Sequence, residues 1–144
     1  MRKGDSASKV RLTVVCVVGG LLMSACADLT VTSLHHQQWL TTTLSAKAAV
    51  TNEGTRSAPA SVTKIEFRAA GSPTWTRNAS VQTPALAPGQ QVELFPTVSI
   101  FPNELPAVGS GQCMELKGCA DSTGTVSEGL SGEGNNCRTT SYCR

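Results

Sequence analysis

The residues of this 144-residue chain that could do chemistry are six cysteines, two histidines and ten carboxylates. His35 and His36 are adjacent, whereas a nucleophile–base–orienter set needs a histidine held by a partner elsewhere in the fold. Neighbouring side chains on a strand point to opposite faces, so the pair cannot chelate a metal as a unit from regular β structure. One solvated and one half-buried histidine is the expectation. No phosphate-cradling glycine motif precedes a helix, and no G-x-S-x-G elbow occurs. No catalytic residue and no cofactor are assigned, and the chain reads as a non-enzyme.

The carboxylates offer one oxygen-rich segment. Residues 121–136 hold Asp121, Glu128 and Glu133 and no Lys or Arg, amid many Ser, Thr and Gly. Calcium favours such loops, but the spacing does not match an EF-hand. Asp121, Glu128, Glu133 and Asn136 are therefore turn or ion candidates, with capping of the turn by Asp121 and Asn136 as the simpler expectation. Asn78-Ala-Ser80 is a formal glycosylation sequon, read as accidental.

Cysteine usage divides along the chain. Residues 1–11 are basic, and Leu12 to Ala25 is a run without charge, the layout of a secretory signal peptide. The run is shorter than the roughly 20 apolar residues that a permanent span needs. Met23-Ser24-Ala25-Cys26 resembles the bacterial lipobox, in which the cysteine is lipidated and becomes the first mature residue. Ala25-Cys26-Ala27 is a rival A-x-A site that would free a soluble protein beginning at Asp28. Lipidation at Cys26 is preferred, because the cysteines downstream are already even in number. With Ala27 following it, the lipobox rule would send the protein to the outer membrane; the rival cut implies a secreted or periplasmic protein.

Four cysteines remain, Cys113, Cys119, Cys137 and Cys143, and in an exported chain they read as two disulfides. In an antiparallel hairpin of constant register, opposed residues share one index sum, and the pairs 113 with 143 and 119 with 137 have equal sums. The six-residue spacings keep each pair on one face of its strand. The alternative, 113 with 119 and 137 with 143, makes two local loops, and a bulge would undo the register argument. Structural zinc prefers ligand pairs two to four residues apart, and both intervals here enclose five.

These groups have to be positioned by strands. Leu44, Ala46, Ala48 and Val50 alternate with polar or small residues, as do Ile65 and Phe67, Val92 and Leu94, and Met114 and Leu116. Met114, Leu116 and Ala120 are expected to turn to the core with Tyr142. Further strands are expected near Leu29 to Leu34, Ala79 to Thr83 and Asn136 to Cys143, making about seven. Turn chemistry separates them at Asn52-Glu-Gly54, Gly71-Ser-Pro73 and Ala87-Pro-Gly89. A helix near Gln37 to Leu44 is opposed by the β-branched Thr41-Thr42-Thr43. Seven short strands over this length imply an all-β, immunoglobulin-like antiparallel sandwich. The segment Phe95 to Gly111, with Phe95, Phe101 and Leu105, is the candidate binding loop, because exposed aromatic and proline loops on a rigid sandwich are where such folds place recognition. The other expectation is that Phe101 and Leu105 fold back onto the core.

Composition agrees with a folded domain: 40% of residues are hydrophobic and 15% charged. Loss of residues 1–25 leaves eight basic and nine acidic residues. A near-neutral mature chain disfavours nucleic acid as a partner.

Asp28-Leu29-Thr30-Val31, Val50-Thr-Asn52-Glu-Gly54, Ala85-Leu-Ala-Pro88-Gly89-Gln90, Ala120-Asp121, Val126-Ser-Glu128 and Glu133-Gly-Asn135-Asn136 together resemble the CARDB family, the cell-adhesion-related domain found in bacteria. The resemblance covers almost the whole mature chain, and its most specific part is the final "D, V-x-E, E-x-N-N" pattern. It implies a β-sandwich used as an extracellular binding or spacer module, without known catalysis. The chain departs from the family in its single copy, its longer Ile100 to Gln112 segment and its four hairpin cysteines. The division expected is a signal peptide over 1–25 and one CARDB-like domain over 26–144. Its expected role is that of a lipid-anchored envelope binding module for an unknown protein or glycan, with a ligand-free spacer or envelope-complex subunit, or an accessory domain to an extracellular enzyme, as alternatives.

Overall fold

In a computed structural model of the chain, residues 26–40, 43–101, 104, 110–128 and 134–143 are described, without the side chains of 38–40. The expected signal segment, the side chain of Trp39, Leu105 and Glu133 lie outside the described residues. Among the described residues no helix is long and apolar enough to cross a membrane.

Among the described residues eight strands follow one another: β1 (Leu29–Leu40), β2 (Thr43–Asn52), β3 (Ser61–Ala69), β4 (Arg77–Thr83), β5 (Gln91–Leu94), β6 (Thr97–Ser99), β7 (Cys113–Cys119) and β8 (Cys137–Cys143). One antiparallel sheet runs β1-β2-β5, with β6 also on β2, and the other runs β4-β3-β7-β8. The architecture is a two-sheet β-sandwich, and the chain segment weighed as a helix is strand as far as Leu40 and again from Thr43.

Two departures from the expected strands have local causes. The first strand extends six residues further than expected and keeps pairing with β2 through two register shifts, between Val31 and Ser33 and between His36 and Gln38. The first shift changes which parity faces inward: Leu29 and Val31 are buried, and then Leu34 rather than Ser33. The eighth strand, β6, is the one that reading missed. Ala48 pairs with Leu94 and Ser45 with Thr97, so β5 and β6 keep one register along β2. They are one edge path interrupted at Pro96, which has no N–H to give to the ladder.

The core is filled by period-two alternation from both sheets. Leu44, Ala46, Ala48 and Val50 of β2 face Ile65 and Phe67 of β3 and Met114 and Leu116 of β7, all at most 1% exposed. Buried apolar surface of this kind is the main stabilising term. Gly118 sets the closeness of the sheets, since a Cβ there would stand 3.0 Å from Ile65 Cδ1 and 3.4 Å from Leu34 Cδ2. Between β3 and β4 the buried Thr63 and Thr83 hydroxyls pair at 2.6 Å. Tyr142 packs against the core, and its hydroxyl donates to the Leu34 carbonyl at 3.2 Å, tying β8 to β1.

Candidate functional site

The strand directions sort the connections into two poles. Residues 26–28, 53–60, 84–90, 120–128 and 134–136 share one end of the sandwich, and residues 70–76, 100–101, 104 and 110–112 share the other.

At the first pole Asn52, Glu128 and Asp121 hold the loops by side-chain hydrogen bonds. Asn52, fully buried at the end of β2, accepts at Oδ1 from the amides of Asp28 and Gly54, both at 3.1 Å, and donates from Nδ2 to the carbonyls of Arg56 and Leu86. Glu128 accepts from the Leu29 amide at 2.8 Å. Asp121, held at φ 44°, accepts from the Thr125 amide and hydroxyl and from the Val126 amide. Both of its oxygens are thus spent on closing its own turn. Asn136 takes part through its backbone carbonyl, which accepts from the Ala120 amide at 2.9 Å; the cap expected of its side chain is not formed at Oδ1, which is buried without a hydrogen-bond partner among the described residues. Among the described residues, no three His, Cys, Asp or Glu side chains are grouped so as to hold a metal ion.

Cys26 sits in the same pole, 8% exposed, with its carbonyl accepting from the Thr55 amide at 2.9 Å and the Arg56 amide at 3.3 Å. Gly54 lies under this segment: a Cβ there would stand 2.6 Å from the Asp28 nitrogen and run into the Cys26 carbonyl oxygen. In the full-length chain Cys26 is disulfide-bonded, a state the lipidation expectation did not foresee.

The four downstream cysteines form two bonds, Cys113–Cys143 and Cys119–Cys137. β7 and β8 pair without a register shift, so the pairs of equal index sum stand opposite one another. Their Cα atoms are 3.9 and 4.1 Å apart, the closely spaced class of antiparallel pair. Both bonds lie on the outer face of the second sheet, beside Glu115 and Lys117.

His35 is exposed and His36 half-buried on opposite faces of β1. The His36 ring meets Tyr142 edge-on, with centroids 4.3 Å apart. Burial lowers its pKa below the ordinary histidine value of 6.5 by penalising the charged form.

Among the described residues two large hydrophobic side chains are exposed, Phe95 at 55% and Phe101 at 59%. Of the two expectations for the candidate loop, folding back onto the core does not apply to Phe101; the buried member there is Ile100. From Phe95 to Phe101 the chain alternates strictly: Pro96, Val98 and Ile100 are buried, and Phe95, Thr97, Ser99 and Phe101 are exposed. Phe95, Thr97 and Ser99 therefore share one outward row, and Phe101 is exposed just past the end of β6, where its ring meets Arg77 of the other sheet. Thr97 stands opposite Ser45 of β2, and Ser99 opposite Thr43.

Each ring is flanked by a cation that a carboxylate holds in place. Lys47 lies 5.8 Å from the Phe95 centroid and pairs with Glu93 at 2.6 Å. Arg77 lies 4.6 Å from the Phe101 centroid and pairs with Glu104 at 3.0 Å, and Glu104 also accepts from the Phe101 amide at 2.8 Å. A third set, Trp75 over Arg68 with Glu115, occupies the outer face of the opposite sheet. Sequence reading found the two phenylalanines but neither the hydroxyls between them nor the cations beside them. The alternation of residues 95 to 101 was the signal available for the former.

The CARDB family profile matches residues 26–140. No curated protein matches. Among solved structures, the chain is similar to the CARDB domain of a Pyrococcus furiosus protein crystallised in complex with di-metal ions, at 22% identity and a TM-score of 0.51, covering 82% of this chain and 88% of that one. It is also similar to β-glucosidase 3B of Thermotoga neapolitana in complexes with glucose and with α-D-glucose, at 16% identity and TM-scores of 0.50 and 0.51. That likeness covers 81% of this chain but 16% of the glucosidase chain. These likenesses establish the fold, and the profile establishes the family: the chain belongs to the CARDB family.

Proposed function

We propose that this CARDB domain is an exported, non-catalytic binding module of the cell envelope, with an immunoglobulin-like topology and the row Phe95, Thr97 and Ser99, with Phe101 just past it, as its contact surface. The observation that carries the reading is the exposure of two phenylalanine rings, each beside a cation held in its own ion pair. Rings held by the scaffold lose little freedom on contact, which favours their use in recognition. The family name, which refers to adhesion, and the two disulfides, which persist in oxidising compartments, point the same way.

In this reading Cys26 carries a lipid and the domain sits on the outer membrane, with no nucleic-acid partner. Thioether formation uses the free thiolate, so it precedes any bridge at Cys26 and acts on the chain during export. Because the segment from Cys26 is seated on Gly54 and Asn52, a lipid there would hold the first pole at the membrane and turn the second outward. Phe101 and Trp75 lie toward that second pole. The oxygens of Asp121 serve the protein's own backbone, so the reading involves no ion at that turn.

Retention of the protein on isolated envelopes tests the proposal. Phe95→Ala and Phe101→Ala should each weaken retention about tenfold, a loss of about 1.4 kcal/mol, at an unchanged melting temperature. Unaltered retention in both variants would contradict it.

A further inference from the structure

The contact row has a composition that selects among partners. Between the two rings stand four hydroxyls in two cross-strand pairs, Thr97 opposite Ser45 and Ser99 opposite Thr43. Among the described residues, none of these four hydroxyls takes part in a hydrogen bond within the protein. At about 3.3 Å per residue, Phe95 and Phe101 stand roughly 20 Å apart. The surface is thus ring, hydroxyl, hydroxyl along the sheet edge, with the second ring just past the end of β6 beside Arg77 and a second line of hydroxyls on β2.

Resting on the binding reading above, we infer that this row binds an extended, uncharged polysaccharide. The electron-rich face of each ring suits the positively polarised C–H face of a pyranose. The four hydroxyls can both donate and accept, as sugar hydroxyls do. The span is too long for a single sugar and matches several units of a linear chain. Charge excludes the obvious competitor: Lys47 is neutralised by Glu93 and Arg77 by Glu104, leaving no net field to draw an anionic polymer. A protein partner is less well matched, because Ser and Thr are under-represented among the residues that dominate protein interfaces.

Electrophoresis of the oxidised mature protein through native gels containing soluble polysaccharides tests the inference. The gels carry linear neutral glucan, mannan or xylan in one series and alginate in another. The wild type should be retarded by at least one of the neutral polymers, to the same extent in 0.5 M salt on the order used to screen charges. Phe95→Ala and Phe101→Ala should each weaken that binding about tenfold. Thr97→Val combined with Ser99→Ala should weaken it as well while leaving the melting temperature in place. Retardation by alginate alone, abolished by salt, would overturn the inference, as would no retardation in any polymer. A parallel retention assay on envelopes with and without protease treatment separates the two levels. Protease-sensitive retention that requires Phe101, without polymer binding, overturns the polysaccharide and leaves the binding module standing. Retention that does not need Phe95 or Phe101 overturns both.

Discussion

The side-chain amide of Asn52 donates to the carbonyl of Leu86 at 3.0 Å, joining the end of β2 to the connection between β4 and β5 across 34 residues of chain. The same amide serves Asp28, Gly54 and Arg56, so one buried side chain gathers three connections at one pole. Substitution Asn52→Ala takes the partner from the Asp28 and Gly54 amides and the Arg56 carbonyl, while the Leu86 carbonyl keeps the Ala58 amide at 2.8 Å. The expected loss is about 3 kcal/mol, read as a lower urea midpoint at an unchanged slope. A loss within experimental error would show that water replaces the amide.

The two disulfides close the same hairpin at different depths, with sequence separations of 30 and 18 residues. Replacing either pair by serine should cost about 3 kcal/mol in the loop-entropy account. Because both bonds lie on the outer face, the core packing of Met114 and Leu116 should persist in each variant. Denaturation of the two double mutants and the wild type, together with their near-ultraviolet circular dichroism, checks both statements.

His36 provides a pH signature. Its pKa in the folded protein lies below the unfolded value of 6.5 because the ring is partly buried against Tyr142. The unfolded chain therefore binds the proton more readily. The contribution of His36 is complete above pH 6.5 and is lost as pH falls through its lower, folded value. The melting temperature of the wild type should fall from pH 7.5 to pH 5 by more than that of His36→Gln. Parallel profiles for the two proteins would contradict the assignment.

Cys26 separates two forms of the mature protein. Expressed in a bacterium with its own leader, the wild type should carry a diacylglyceryl mass increment on a chain beginning at Cys26 and should partition with membranes. Cys26→Ser should lose both properties. A soluble wild-type product beginning at Asp28 would replace the lipid anchor with a secreted domain.

Much of the fold was legible because half-buried strands write their pattern as alternation. Leu44 to Val50 and Met114 to Leu116 reach the core as their spacing implies. The disulfide register could be read because β7 and β8 pair without a shift. The same reasoning would have failed between β1 and β2, where two register shifts intervene. A three-residue strand beside Pro96 carries too little pattern to be found alone, and β6 was missed for that reason. Asn52 was legible only as a turn residue, since its four partners come from segments that are distant in sequence. The cations beside Phe95 and Phe101 were hidden likewise, because Lys47 and Arg77 arrive from β2 and β4.

The most direct test of the contact row is a saturation-binding comparison of wild type, Phe101→Ala and Trp75→Ala on the same envelope preparation. Trp75, half-buried, is held by a similar ring-and-cation set on the outer face of the opposite sheet, so it controls for the loss of an aromatic ring elsewhere on the surface. The row requires Phe101→Ala to bind about tenfold more weakly while Trp75→Ala binds as wild type, all three melting together. Equal weakening in both variants, or in neither, would contradict it.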